Sequence, residues 1–97
     1  MKIHFTGRNI EVTPALKSFT EEKMERLHHL DKNISSLNIT FHVENVTHTA
    51  EATAHVYGVD IHASAQSSDM YVAIDLLVDK MISQIKKHKE KMTDHHR

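Results

Sequence analysis

The chain has 97 residues, 12 Lys and Arg, 13 Asp and Glu, and a formal net charge of −1 with its ten His neutral. That length suits one domain with one modest core and argues against a deep enclosed active site. The absence of Cys excludes a disulfide framework, a thiolate metal site and a Cys nucleophile, and two Gly make a Gly-rich phosphate loop almost impossible.

The opening MKIHFTGRNIEV lacks the apolar core of a signal peptide. No apolar run approaches the ~18 residues of a membrane span, so a cytoplasmic, soluble protein with no membrane partner is expected. Ile3 and Phe5 alternate with His4 and Thr6, which predicts a first strand over residues 2–6. Thr13-Pro14 then reads as a helix start, with Thr as N-cap and Pro at the first helical position. Leu16, Phe19, Leu27 and Leu30 form one apolar stripe at helical spacing, which places a helix over about 14–30. Lys17, Glu21, Glu22, Glu25 and Arg26 cover its other sides.

Beyond this helix the period falls to two. Leu37, Ile39, Phe41 and Val43 define a second strand, Ala50, Ala52, Ala54 and Val56 a third, and Ile61, Ala63 and Ala65 a fourth. Gly58-Val59 suits a two-residue type II′ hairpin, which pairs Tyr57 with Asp60, Val56 with Ile61 and His55 with His62. Ser68 as N-cap and Asp69 in the first turn open a second helix over about 69–91. Its buried stripe is Met70, Ala73, Ile74, Leu77, Met81 and Ile85.

The order β-α-β-β-β-α, with a polar face on every strand, predicts an α+β two-layer sandwich. A four-stranded sheet carries both helices on its apolar face and leaves the other face bare. A right-handed crossover through the first helix makes strands one and two parallel, and two hairpins add the others antiparallel. Ala on the last two strands lets a helix approach closely. Residues 1–92 form this single domain and 93–97 a short disordered tail.

The total of −1 conceals a partition. Residues 1–30 hold five basic and four acidic groups, 31–79 hold one basic and seven acidic, and 80–97 hold six basic and two acidic. Lys80, Gln84, Lys87 and Lys91 form one stripe at the edge of the buried face of the second helix, and Lys86 and Lys89 fan out beyond it. The first helix adds Lys17, Lys23 and Arg26 to the same layer. A charged helix face is usually only solvated, but clustering against an acidic remainder orients a protein towards phosphate.

His4, His42, His55 and His62 fall on the bare sheet face. Two of them across a hairpin form a candidate divalent-ion pair, yet a closed site wants four ligands and a supporting shell, so solvated side chains are the favoured reading. Asp75 and Asp79 are spaced i, i+4 away from the apolar stripe, where they make poor general acids and Asp79 has a neighbouring Lys to bridge to. No nucleophile motif stands out, so no enzyme, cofactor, metal or small-molecule substrate is expected. Tyr71, Val72 and Leu76 project away from the core centre, and Val72 and Leu76 form a candidate partner contact.

Several segments in order carry a resemblance. They are Ile3-His4-Phe5-Thr6-Gly7-Arg8-Asn9, Val12-Thr13-Pro14-Ala15-Leu16, Val43-Glu44-Asn45-Val46-Thr47-His48-Thr49, Ile61-His62-Ala63-Ser64-Ala65, Asp69-Met70-Tyr71-Val72-Ala73-Ile74-Asp75 and Lys86-Lys87-His88-Lys89-Glu90-Lys91. Over essentially its full length the chain resembles the short bacterial ribosome hibernation-promoting factors, of the ribosome-associated inhibitor and sigma-54 modulation protein family. The resemblance implies a β-α-β-β-β-α fold similar to double-stranded RNA-binding domains. It also implies binding to the small ribosomal subunit, with the helix layer against 16S rRNA in the channel of messenger and transfer RNA, and translation inhibition by occupancy in stationary phase or stress. Pairing of ribosomes into dimers, with a separate modulation factor, is a further implication, and so is a monomer when free. The rRNA-binding positions carried over are Arg8, Lys23, Arg26, Tyr71, Lys80, Lys86, Lys87 and Lys91. The acidic tail of the inhibitor type and the dimerisation domain of long members have no counterpart after Lys91, which favours the dimer-promoting short type. Position 72 is Val where small Ala or Thr is common in the family. The alternatives are a general double-stranded RNA-binding module and, more weakly, a metal-dependent enzyme using the His-rich face.

Overall fold

A computed structural model describes the backbone of residues 1–94 and the side-chain surroundings of residues 1–90. Six elements follow in the expected order: β1 Lys2–Arg8, α1 Pro14–Leu30, β2 Ile34–Glu44, β3 Thr47–Val56, β4 Val59–Ser67 and α2 Met70–Asp94. The strands run in the sheet as β1-β2-β3-β4. β1 and β2 are parallel, with Phe5 beside Ile39, and the other two pairs are antiparallel. Both helices pack with one apolar face of the sheet into a single core. Thr93 and Asp94, expected in the tail, carry helical backbone, and residues 95–97 lie outside the described residues.

The helix starts follow from local hydrogen bonding. The Leu16 amide donates to Thr13 Oγ1 at 3.2 Å, and Pro14 takes the first position, where a missing N–H costs nothing. For α2 the cap moves one residue from the expected Ser68. Asp69 Oδ1 accepts from the Tyr71 amide at 2.9 Å and the Asp69 carbonyl accepts from Ala73 at 3.0 Å, while Ser67 Oγ holds the Asp69 amide at 3.3 Å. A carboxylate is the better partner for the positive end of a helix.

The core is built mostly as the periodicity predicts. Met70, Ala73, Ile74, Leu77, Met81 and Ile85 are buried, joined by Val78. They rest on Ala50, Ala52 and Ala54 of β3 and on Ala63 and Ala65 of β4. On α1 the buried side chains are Leu16, Thr20, Met24 and Leu27, whereas Phe19 and Leu30 are only partly covered. Thr20 enters the core because its hydroxyl donates back to the Leu16 carbonyl at 2.8 Å.

The β3–β4 hairpin corrects the expected register. Tyr57 and Gly58, not Gly58 and Val59, make the turn, with φ of 55° and 74°. Positive φ at both central residues defines a type I′ turn, whose twist matches that of the strands. Val56 therefore pairs with Val59, Ala54 with Ile61, His55 with Asp60 and Thr53 with His62. Each partner moves by two residues, so every side chain keeps its expected face.

A left-handed Tyr needs compensation. The Tyr57 hydroxyl donates to Asp31 Oδ2, and its ring stacks on His88 of α2, with centroids 5.9 Å apart. Asp31 follows α1 directly, its amide closing the last turn on Leu27, and it is the one buried charged side chain among the described residues. Asp31 Oδ1 accepts from the Asn33 amide at 2.9 Å and from Asn33 Nδ2 at 3.1 Å. Burial opposes the carboxylate charge. The hydrogen bonds from Tyr57 and Asn33, with the Lys89 ammonium nearby, outweigh it and hold the Asp31 carboxyl below its ordinary 3.8. The same bond to Asp31 raises the Tyr57 phenol, which donates its proton there.

Two measurements check these assignments. A Cβ at Gly7 would lie 2.4 Å from the Ile10 carbonyl oxygen and 2.9 Å from Val12 Cγ2, while one at Gly58 meets nothing within 4 Å. Gly7→Ala therefore destabilises the chain more in urea unfolding than Gly58→Ala, which costs about 1 kcal/mol for its positive φ alone. A carboxyl depressed on folding stabilises the fold above its unfolded pKa, and that contribution disappears as pH falls through the folded value. Tyr57→Phe removes a bond to a buried charge. It lowers stability by about 1.5–3 kcal/mol near neutral pH and by less below pH ~3.8, so its curve against pH is shallower on the acid side.

Candidate nucleic-acid interface

The two helices run side by side and are joined by three matched contacts along their seam. Phe19 meets Tyr71 edge-to-face, with ring centroids 4.8 Å apart. One turn on, Lys23 Nζ lies 3.3 Å from Asp75 and 5.3 Å from the Phe19 ring centroid. A further turn on, Arg26 lies 3.6 Å from Asp79. Asp75 and Asp79 are thus the partners of α1 cations, with Asp79 bridged by Arg26 rather than by a Lys. Side chains in both pairs remain between 37% and 67% exposed, so each pair is worth no more than about 1 kcal/mol.

Further along α2 the expected basic residues divide by position on the helix. Lys80 reaches sideways to the β4 edge, where Nζ donates to the Ser64 carbonyl at 2.8 Å. Lys87 lines the same groove with Ala63, Ser64, Ser83 and Gln84. Lys86 and Lys87 are exposed, and among the described residues neither faces a carboxylate partner. Lys89 turns inward instead, with Nζ 3.5 Å from the Leu30 carbonyl oxygen and its charge felt at Asp31. Lys91 lies on the helical backbone, and its side chain is outside the described surroundings.

Arg8 and Tyr71 do not join this cluster. Arg8 ends β1 beside His42 and is exposed. Tyr71 sits in the first turn of α2, above a groove lined by Ile10, Leu16, His48 and Met70. At 1.5 Å per residue, 15 helical residues separate Tyr71 from Lys86 by about 22 Å. The expected positions therefore form a basic end (Lys80, Lys86, Lys87, Lys91), a seam (Lys23 and Arg26, with Tyr71 at its first contact) and Arg8 apart at the end of β1.

The outer sheet face carries no ligand cluster. His55 pairs with Asp60, Nδ1 to Oδ1 at 2.9 Å, and His62 Nδ1 lies 3.0 Å from Thr53 Oγ1, so the two His expected to face one another do not. Among the described residues no three His, Asp or Glu side chains come together as metal ligands. The contacts that sequence reasoning missed are those of Asp31, Tyr57 and Lys89. A buried Asp directly after a helix and a Tyr directly before Gly in a hairpin were the available signals.

This arrangement defines a class: a small α+β domain whose helix layer ends in exposed lysines while its sheet face is polar and its middle acidic. The chain belongs to the family described as sigma 54 modulation protein / S30EA ribosomal protein, which matches over residues 3–93. It is 45% identical over 95 residues to the ribosome hibernation promoting factor of Escherichia coli strain K12, covering 98% of this chain and 100% of that one. The factor of the same name from Azotobacter vinelandii is 42% identical, covering 97% of this chain and 88% of its own length. Among solved structures, a ribosomal subunit interface protein from Coxiella burnetii superposes with a TM-score of 0.88 at 36% identity, covering 93% of this chain and 99% of that one. The N-terminal domain of Thermus thermophilus Protein Y gives a TM-score of 0.84 at 27% identity, covering 91% and 99%.

Because the seam ion pairs are exposed, Asp75→Asn and Asp79→Asn each change unfolding free energy by less than about 1 kcal/mol. That small effect fades further in 1 M salt. A loss of several kcal/mol in chemical denaturation would show that the seam, and not the apolar stripe, holds the helices together.

Proposed function

We propose that the chain is a ribosome hibernation factor. It binds the small ribosomal subunit with its helix layer against 16S rRNA, in the channel that messenger and transfer RNA would occupy, and blocks translation by occupancy. The observation that carries this reading is the C-terminal half of α2, where Lys86 and Lys87 stand exposed without a carboxylate partner among the described residues, on a chain whose net charge is only −1. Membership of the family and the names of the relatives support it.

In this reading Lys86, Lys87 and Lys91 provide the phosphate anchor. Lys80, Lys23 and Arg26 join by trading Ser64, Asp75 and Asp79 for phosphate oxygens. Arg8 and Tyr71 form a second contact at the far end of the helix layer. Phosphate contacts of this kind fix orientation and make affinity fall steeply with salt. The action is occupancy in the cytoplasm during stationary phase or stress, with no covalent step and no cofactor. Pairing of idle ribosomes, assisted by a separate modulation factor, belongs to the same proposal.

The variant Lys86→Glu/Lys87→Glu/Lys91→Glu tests it. Lys86 and Lys87 are exposed, so their substitutions change stability by no more than about 0.5 kcal/mol each, while co-sedimentation of the triple variant with small subunits is lost. Undiminished co-sedimentation would move the anchor away from α2. Binding of the unaltered protein to naked duplex RNA as tightly as to ribosomes would favour a general RNA-binding module. Gradient profiles with and without the protein report ribosome pairing in the same experiment.

A further inference from the structure

The sheet has two open edges, and the one formed by β4 is placed to be read. In a two-residue type I′ hairpin the closing pair, here Val56 and Val59, is hydrogen-bonded, and bonded pairs recur at every second position. Ile61, Ala63 and Ala65 therefore spend their backbone groups on β3. Asp60, His62, Ser64 and Gln66 point their N–H and C=O groups away from the sheet. The 2.8 Å bond from Lys80 Nζ to the Ser64 carbonyl shows one of those outward oxygens in use.

Beside this edge runs a groove of about 640 Å³ between β4 and α2, lined by Ala63, Ser64, Asp79, Lys80, Ser83, Gln84 and Lys87. It continues past Gln84 and Lys87 into a crevice with Asp60, Ile61, His62 and His88. The acidic residues along it already have partners, since Asp79 faces Arg26 and Asp60 faces His55. Lys80 and Lys87 have no carboxylate partner among the described residues. Lysines beside a strand edge oppose pairing with a neutral or basic strand, while their charge is complementary to that of a carboxylate-bearing one.

We propose that the β4 edge is a docking site for an extended acidic segment of a partner protein, which adds to the sheet as a fifth strand. Its backbone pairs with His62, Ser64 and Gln66. The Lys80 ammonium leaves the Ser64 carbonyl for a carboxylate of the incoming strand, and Lys87 takes another. Strand addition draws affinity from main-chain hydrogen bonds and selectivity from the flanking side chains. Nucleic acid matches the two lysines but has no use for a row of outward amides at strand spacing. A second copy could offer its β1 edge, which is flanked by Glu21 and Glu25. It would have to bring the α1 helix, about 10 Å across, into the space beside α2.

The test uses the free protein, so its outcome is independent of the ribosomal reading. The probe is an acetylated, amidated peptide of sequence Glu-Val-Glu-Thr-Glu-Val-Glu, and the control carries Lys in place of each Glu. At saturation with the acidic peptide, amide exchange at His62, Ser64 and Gln66 slows by at least about tenfold, while Ile61, Ala63 and Ala65 are unchanged. The Lys peptide gives no protection. Ser64→Pro, which removes one outward N–H and leaves the β3 ladder whole, abolishes the protection. If that variant does not fold, Lys80→Glu/Lys87→Glu weakens the acidic peptide at least roughly tenfold and serves instead. Unchanged exchange at the three amides, equal binding of both peptides, protection that rises with protein concentration alone, or the same protection from a duplex RNA would each overturn the proposal.

Discussion

The low seat of α2 on the alanines of β3 and β4 is the constraint from which the rest of the molecule follows. Ala50, Ala52, Ala54, Ala63 and Ala65 carry only methyl side chains, too short to hold the helix away, and all five are buried in the core it covers. A helix that sinks into a sheet must turn its polar flanks outward on both sides. On one flank that brings Asp75 and Asp79 against α1, where Lys23 and Arg26 meet them. On the other it brings Lys80 and Lys87 down to the β4 edge, near enough for Lys80 to reach a strand carbonyl. Larger residues at the alanine positions would lift α2 by the thickness of a side chain and break both sets of contacts. The mixed character of the helix layer, paired on one side and cationic on the other, is a consequence of packing.

Much of this was legible in the sequence because it is periodic. Strands with one apolar face, two stripes at helical spacing and the small residues on β3 and β4 are local patterns, and each folds into what the pattern predicts. The errors fall where one residue answers to a distant one. The sequence points to a turn at Gly58-Val59 because Gly is the usual bearer of positive φ. Tyr57 takes that role because Asp31 and His88, far away in the chain, anchor its hydroxyl and its ring. Thr20 and Met24 were missed as core residues because a stripe drawn through Leu16, Phe19, Leu27 and Leu30 runs slightly to one side of the buried face. Lys23 and Arg26 look like free cations in the sequence, and only the parallel alignment of the helices reveals their carboxylate partners.

The charge partition survives in the structure as geometry. α2, about 37 Å long at 1.5 Å per residue, covers roughly three quarters of the longest extent of a molecule measuring 49 × 21 × 18 Å, and residues 80–94 form its C-terminal part. The acidic residues of the middle segment are dispersed: Asp31 in the core, Asp75 and Asp79 on the seam, Glu51 midway along β3, Asp60 by the hairpin, and Glu44 and Asp69 at the opposite end. A total of −1 is compatible with a basic helix end because most of these groups lie away from Lys86 and Lys87, and the two that share a groove with Lys87, Asp60 and Asp79, are engaged by His55 and Arg26. The outer histidines do not alter this picture. His55 and His62 engage an Asp and a Thr on the sheet surface, and His88 is taken up by Tyr57.

Concentrating Lys86, Lys87, Lys89 and Lys91 in two turns has a cost, because like charges on neighbouring turns repel. Two features of the fold offset it. The helix C-terminus carries a partial negative charge that favours cations in the last turns. Beneath them lies Asp31, held ionised by Tyr57 and Asn33 and close enough to Lys89 for that ammonium to favour the carboxylate. The buried carboxylate thus draws one lysine inward and, through Tyr57 and His88, ties the end of α2 to the hairpin and to the end of α1. Lys86 and Lys87 are left facing outward beside His88 and Lys89, which are held by these contacts. In the proposed function, a polyanion meeting this end would find cations already placed and would lose less conformational entropy on binding than with a flexible basic tail. The ionised, buried Asp31 is therefore part of the basic surface, although it makes that surface less positive by one charge.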